Sequence, residues 1–324
     1  MKRWLAEPAV LALVPLGLVL LLGAIFNQNG AFFEWATHRA MLREISVHGI
    51  LACGMTLVII SGGIDLSVGS VLGLCAVLFA LLSLPLGLGS GVTVLGVLVV
   101  GAVLGLISGI LVARARLQAF IVTLAMMVFA RGLAKQLSGG KKITNYVEAG
   151  ASVPYPEIWS ALDTRILGGQ LAVVSVIFFA CALISHLVLS RLRLGRYLYA
   201  VGGNPDAARL AGVPVRGTLT VAYVISGVFA AIAGLCQAAQ ETHGDPETGT
   251  GYELDAIAIV VLGGTSLLGG RGSIPQTLLG ALTLGYLQKV LSLNAFSTES
   301  RLMLMGAIIV GAVLFQRRLQ ATDD

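Results

Sequence analysis

Among the residues of this 324-residue chain that can do chemistry, Asp65 stands apart, because it sits between apolar runs in the string SGGIDLSVGS at 61–70. An ionisable group beside membrane-embedded structure is expensive and usually has a purpose. We read it as a solvent-facing helix cap for Ser67 and Val68, with a structural hydrogen-bond hub and a substrate or ion ligand as the alternatives. A related string, LGGTSLLGGRGS, occupies 262–273. Both carry GGxxLxxG, as Gly62, Gly63, Leu66 and Gly69 and as Gly263, Gly264, Leu267 and Gly270, and Gly269 precedes the last of these. Glycine pairs interrupt an apolar helix, and the freed backbone groups are tolerated in a membrane against protein or a water-filled path. Both strings are therefore expected to be pathway or hinge elements. Glu253 and Asp255, just before the second, mark either its outer mouth or the cap of the following helix.

Other chemistries lack their residues. Gly139-Gly140-Lys141-Lys142 has neither the upstream glycine nor the Ser/Thr of a phosphate-binding GxxxxGK[ST] loop, so no nucleotide site is expected. Gly62-Gly63-Ile64-Asp65 does not have the GxGD spacing of an intramembrane aspartyl protease, and neither HExxH nor a Ser/His pairing suggests hydrolysis. Cys53, Cys75, Cys181 and Cys236 stand singly in apolar runs and read as packing thiols. The four histidines are scattered. Neither an enzyme nor a metal site is expected.

The elements that hold these residues follow from composition. The chain is 56% hydrophobic and 11% charged, where an ordinary soluble domain has roughly 25% charged residues. Its mean hydropathy is +0.91. Apolar runs approach the ~20 residues that cross a bilayer as a helix, and they do not alternate as barrel strands do. The expected fold is an all-α polytopic membrane protein, one membrane domain over 1–324 with about ten transmembrane helices and Gly-interrupted segments. The expected spans are roughly 9–26, 45–60, 68–86, 91–112, 119–137, 171–190, 218–240, 254–268, 274–293 and 302–316. The first is read as an uncleaved helix and not a signal peptide, since no small-x-small site follows it.

Ten spans put both termini on one side. If that side is cytoplasmic, it holds Lys2, Arg3, Arg114, Arg116, Arg191, Arg193, Arg196, Arg209, Arg216, Arg271, Arg317 and Arg318, twelve of the 21 basic residues. Of the 16 acids it holds Glu7, Asp65, Asp206, Asp323 and Asp324. This is the basic-inside asymmetry of a multi-pass protein, and the net charge of +5 calls for no nucleic acid. Arg39 and Arg43 fit least well, being placed outside beside Glu34 and Glu44. Arg131, Lys135 and Lys289 lie near span ends and read as snorkelling cations.

Three connections are long and hydrophilic. The stretch 138–169, with Lys141, Lys142, Glu148, Glu157, Asp163 and Pro154-Tyr155-Pro156, and the acidic, Gly-rich stretch 241–253 face outside. The stretch 191–217 faces inside. There Asn204 can cap a helix beginning at Pro205, and Gly212 can stop it. Rimmed by Arg196, Arg209 and Arg216, that helix is either an interfacial anchor or a docking element. Small residues at Ala207, Ala208, Ala211 and Gly212 let another surface come close, which an anchor does not require.

The strings SGGIDLSVGS, GGNPDAARLAGV at 202–213 and GYELDAIAIVVLGGTSLLGGRGS at 251–273 resemble the permease subunits of bacterial ABC importers for ribose, xylose, arabinose, rhamnose and related sugars, including autoinducer-2. The resemblance runs over nearly the whole chain. It implies an inner-membrane subunit that moves a monosaccharide inward, paired with a second copy or a paralogue. It also implies a cytoplasmic ATPase with two nucleotide-binding modules, which uses ATP and Mg, and a periplasmic sugar-binding protein; no cofactor is expected on this chain. Importer permeases share a cytoplasmic coupling segment of the form EAAxxxG, matched here by Asp206, Ala207, Ala208, Arg209, Leu210, Ala211 and Gly212 with Asp in place of Glu. The later part of that signature is absent, so docking to the ATPase is implied and its geometry is not. A sugar path implies weak hydrogen-bonding groups, for which Asp65, Ser67, Gln237, Gln240 and Tyr252 are the candidates, Gln237 and Gln240 sharing a helix face at i, i+3. A secondary transporter driven by an ion gradient is the alternative, and it requires ionisable groups in mid-span.

Overall fold

The computed structural model describes residues 8–146, 152–297, 299–304, 306, 307 and 311, with side chains described from residue 12 onward. Lys2, Arg3, Glu7, Glu148, Arg317, Arg318, Asp323, Asp324 and most of the 302–316 run lie outside the described residues. The described elements are α1 (Pro8–Ile25), α2 (Trp35–Ile60), α3 (Val68–Ser83), α4 (Ser90–Ala113), α5 (Ala119–Ser138) and α6 (Glu157–Asp163). A two-stranded ribbon of β1 (Arg165–Ile166) and β2 (Leu171–Ala172) comes next. Beyond it lie α7 (Val173–Arg191), α8 (Arg193–Gly203), α9 (Pro205–Leu210), α10 (Val215–Glu241), α11 (Tyr252–Leu262) and α12 (Ile274–Leu293). Five of them, α2, α4, α5, α7 and α10, are long and apolar enough to cross a membrane.

Burial sorts these helices by their sequence. From Ser46 to Ile60 nearly every residue of α2 is buried, and α3 is buried along most of its length. A helix apolar on all sides belongs inside a bundle. By contrast α4, α5 and α7 bury one stripe and leave large apolar side chains such as Val92, Leu95, Phe120, Val128, Phe179 and Leu183 exposed. So much open apolar surface suits a hydrocarbon surrounding and not water.

The tightest pairing, α4 on α10, is built from glycines four residues apart. A Cβ on Gly101 or Gly105 would strike the carbonyl oxygens of Gly227 and Tyr223, and one on Gly109 would lie 2.8 Å from Thr220 Cα. Small residues at this spacing let two backbones approach, which drives helix association where no water is displaced. Hydroxyls join other helices, with Ser46 donating to Ser175 at 2.9 Å and Thr56 and Thr277 bonded at 2.8 Å.

Two expected segments differ in extent. Helix α2 starts at Trp35, ten residues ahead of the 45–60 run, because its polar first turns find tertiary partners. Arg43 pairs with Asp163, Arg39 donates to the Gly169 carbonyl at 3.0 Å, and Glu44 receives Lys289 at 3.0 Å. Arg39 and Arg43 therefore lie at the same end of the bundle as the 138–169 connection. Helix α11 has eleven residues in place of the expected 254–268 span, too few to cross ~30 Å at 1.5 Å per residue.

Candidate functional site

The two glycine strings end two helices in the same way. Gly62, with φ +86°, comes after α2; its N–H donates to Ile59 at 2.9 Å, and the Gly63 N–H reaches back to Val58 at 3.0 Å. After α11, Gly264 has φ +92°; its N–H donates to Val261 at 2.8 Å, and the Thr265 N–H reaches Val260 at 3.1 Å. Both are Schellman caps, in which a left-handed glycine returns two N–H groups to the last turn. The left-handed glycine is the first of the pair in one string and the second in the other, so the sequence repeat and the backbone repeat are offset by one residue. The strings also meet, the Gly270 N–H donating to the Ile60 carbonyl at 2.9 Å.

Asp65 lies on the floor formed by these turns and is buried, at 2% exposure, so its expected solvent-facing position is corrected; it keeps the expected cap on the Ser67 N–H and is also a hydrogen-bond hub. Its Oδ1 accepts from the Ser67 N–H at 3.0 Å and the Ser67 hydroxyl at 2.6 Å, and its Oδ2 accepts from the Ser226 hydroxyl at 2.8 Å. A buried carboxylate is tolerable when its lone pairs are filled in this way. Nearby, a Cβ on Gly63 would strike the Tyr223 hydroxyl, a buried group with no hydrogen-bond partner among the described residues. Tyr223 and Ser226 gave no sign in the sequence, since each is one polar residue in an apolar run.

Towards the other end of α10 the chain turns back into the bundle. Thr242 adopts φ +58° and caps α10, after which 243–251 runs along α3. A Cβ on Gly244 would lie 2.7 Å from the Ala76 carbonyl oxygen, and Gly249 rests against Gly69 at the start of α3. The 241–253 connection, expected to face outside, is thus partly laid against α3 and not free in solvent. Its carbonyls are met by a cation: Arg131 donates to the carbonyls of Pro246 and, at 2.8 Å, Thr248. Lys135 pairs with Glu247 at 2.6 Å, and Lys142 with Asp245 at 3.2 Å. Arg131, Lys135 and Lys289 are therefore paired cations. Burial alone would raise the Asp245 carboxyl, but the Glu247 N–H and the Lys142 ammonium outweigh it and hold its pKa below the ordinary value.

At the foot of this stretch Tyr252 opens α11 and packs on His48 with ring centres 4.2 Å apart and the rings tilted by 38°. His48 Nε2 is 3.2 Å from an Asp255 carboxylate oxygen, and Glu253 lies against Gly69. Both acids lie in the first turn of α11, whose N-cap is Gly251, and the Glu253 carboxylate is met by the backbone N–H groups of Gly251 and Glu253, as expected of acids at a helix start. Gln237 donates to Glu241 at 2.7 Å, and Gln240 Nε2 is buried without a partner among the described residues. The predicted polar residues thus fall in two groups. Asp65 and Ser67 belong to the floor beneath α3, while Gln237 and Gln240 belong to the rim of the returning strand and Tyr252 to its foot. Gly69 touches both groups through Gly249 and Glu253.

Beyond the floor, the 191–217 stretch folds into two helices. Asn204 caps α9, its side-chain oxygen accepting from the N–H groups of Asp206 and Ala207 at 3.0 Å each. Gly212, with φ +81°, closes α9 as a third Schellman cap. Asp206, Ala207, Arg209, Ala211 and Gly212 are exposed, and Arg209 pairs with Asp206 at 3.0 Å. Ala208 is turned inward onto Val201 and Val215, so it is not part of the open face. Leu210, 91% exposed, is the prominent apolar group there; in the sequence it was one more leucine.

Residues 39–313 match the family described as branched-chain amino acid transport system / permease component. The chain is 37% identical over 320 residues to the ribose import permease protein of Escherichia coli K12, covering 98% of this chain and 96% of that protein. It is 36% identical over 313 residues to the L-arabinose transport system permease protein of the same organism, with 95% and 90% covered. It is 36% identical over 311 residues to the fructose import permease protein of Rhizobium meliloti, with 95% and 85% covered. No solved structure matches the chain.

Proposed function

Because this chain belongs to the family of branched-chain amino acid transport system permease components, we propose that it is the membrane-spanning subunit of an ATP-driven importer carrying a monosaccharide from periplasm to cytoplasm. The family description names amino acids, whereas relatives aligned over more than nine-tenths of this chain are named for ribose and arabinose import. That full-length likeness favours a sugar as cargo. The chain is one polytopic domain of the inner membrane, with about ten spans and both termini cytoplasmic. It works with a second permease, a periplasmic sugar-binding protein and a cytoplasmic ATPase that alone uses ATP and Mg.

Exposure of Leu210, Arg209 and Gly212 on a capped six-residue helix supports α9, with Asn204, Asp206, Ala207 and Ala211, as the docking element for that ATPase. The path runs beside the interrupted segments, with Gln240, Gln237 and Tyr252 at its outer half and the Asp65–Ser67 floor at its inner half. Gly62, Gly63, Gly69, Gly263, Gly264, Gly269 and Gly270 let those segments bend and pack. Weak, dispersed polar groups suit a corridor that must release its cargo, leaving selectivity mainly to the binding protein. A carrier driven by an ion gradient is disfavoured because Arg131, Lys135 and Lys289 are engaged by carbonyls or carboxylates. The test is uptake into vesicles holding the purified complex, offered ribose, arabinose, xylose and fructose in turn. ATP-dependent accumulation of one sugar is expected. Accumulation without any ATPase would overturn the reading.

A further inference from the structure

The end of α8 meets both interrupted segments at one place. Gly202 lies so close to the end of α2 that a Cβ there would collide with the Ile60 carbonyl oxygen and come within 2.6 Å of the Gly270 amide nitrogen. That same carbonyl accepts the Gly270 N–H at 2.9 Å. Gly269, with φ +87°, faces Gly202 from the other string, and a Cβ on it would stand 2.8 Å from the Gly202 oxygen and 3.0 Å from Gly62 Cα. Tyr199, one turn earlier in α8, donates its hydroxyl to the Gly272 carbonyl at 2.8 Å. Three strands of backbone thus touch directly where any side chain would hold them apart.

The short link from α8 to α9 gives this contact its direction. Asn204 is the sole residue between the two helices, and its side chain is committed to the first turn of α9. Ala208 of α9 packs on Val201 of α8. With no slack between them, a displacement of α9 must move the end of α8. Packed backbone has two discrete arrangements more readily than a continuum of them, so the movement has to be taken up by its neighbours.

We infer that the junction of Gly62, Gly202, Gly269 and Gly270 is the joint through which displacement of α9 reaches both interrupted segments together. This rests on the reading of α9 as the ATPase-docking element. Hydrogen bonding serves the same end: the Ile60 carbonyl is one of the orphan acceptors at the end of α2, and it is filled from the second string. The two strings are held to each other by main chain, and to α8 by close backbone packing at Gly202 and by the Tyr199 hydroxyl.

Adjacent glycines of α8 give the experiment its internal control, since Gly203 has no atom within 4 Å of its Cβ position while a Cβ on Gly202 would collide with the Ile60 carbonyl. Gly202→Ala and Gly203→Ala are made in the complete complex in vesicles. Copurified ATPase, ATP hydrolysis and uptake of ribose, arabinose and fructose are then measured. Gly202→Ala is expected to keep the ATPase bound and hydrolysing while uptake falls roughly tenfold, the scale on which residues along a coupling route act. Gly203→Ala is expected to match the wild type in all three. Wild-type uptake by an assembled Gly202→Ala complex overturns the inference. Should that complex not assemble, Tyr199→Phe decides, because it removes one hydrogen bond and no volume. A fall of about threefold in sugar moved per ATP supports the joint, and an unchanged ratio overturns it. If the wild-type chain retains no ATPase, the docking reading itself fails, a result visible before any variant is made.

Discussion

The hydroxyl of Ser226, in the middle of α10, donates to Oδ2 of Asp65 at 2.8 Å across 161 residues of sequence. This bond ties the turn after α2 to the helix that α2, α3 and α4 all pack against, so the floor of the bundle is fixed from both sides. Ser226→Ala strands one carboxylate oxygen and is expected to cost about 1–3 kcal/mol, read as a lower melting temperature of the purified protein in detergent. Asp65→Ala, which strands the Ser67 and Ser226 hydroxyls together, is expected to lower it further. Equal melting of wild type and both variants would remove Asp65 from its structural role.

On α9 the open face and the buried face should respond differently. Leu210→Asp and Arg209→Glu act on exposed groups, and each is expected to cut copurification of the ATPase roughly tenfold with little change in the melting of this subunit, as truncation of a central interface contact does. A bulky residue at Gly212 must also adopt φ +81° and is expected to uncouple hydrolysis from uptake. Ala208→Leu, placed against Val201 and Val215, should instead lower stability by about 1–3 kcal/mol. A pull-down and a melting curve separate the cases.

Gly63 and Tyr223 form a second testable pair. A Cβ at Gly63 collides with the Tyr223 hydroxyl, while the ring carbon behind it stands 3.3 Å away. Gly63→Ala is expected to depress uptake, and Tyr223→Phe in the same chain to restore much of it, so the double-mutant cycle should show strong coupling. Gly63→Leu and Gly264→Leu are expected to abolish uptake with the complex intact, and transport at the wild-type level would reject their place on the path.

Arg131 supplies hydrogen bonds to two part-buried carbonyls. Arg131→Met leaves the Pro246 and Thr248 carbonyls without that donor, at about 1–3 kcal/mol for each buried group left unpaired. Faster amide exchange across 243–251 than in the wild type is the expected outcome. Exchange confined to other segments would show that the strand is held elsewhere.

Asp245 gives the returning strand a pH dependence whose sign is set by its lowered pKa. A carboxyl more acidic in the folded protein stabilises it at neutral pH, and this contribution is lost as the pH falls through the folded value. Wild type should therefore melt above Asp245→Asn by a constant margin over about pH 6–8, and the margin should shrink below about pH 4. A margin independent of pH would assign the effect to packing.

Much of this arrangement was legible in the residues. Asn204, Pro205 and Gly212 define α9 because caps are local, and the paired glycines announced two interrupted helices for the same reason. The Asp65 environment was not legible, since its decisive partner sits in an apolar run far along the chain and a lone serine there has no signature. The start of α2 was hidden because Arg39, Arg43 and Glu44 read as loop until Gly169, Asp163 and Lys289 are seen to meet them. Residues 243–251 have the composition of any solvated turn, and nothing local distinguishes a turn in water from one laid against a helix and closed by Arg131.

That laid-in strand limits what evolution or engineering can do with an apparently permissive loop. Gly244 lies against the Ala76 carbonyl and forms an antiparallel bridge with Ile143, and Gly249 lies against Gly69. Adding or deleting a single amino acid between those two anchors would slide one of them onto a neighbouring Cβ and misalign Arg131 with the oxygens it serves. A substitution between the anchors is therefore expected to disturb the bundle less than a change in residue count.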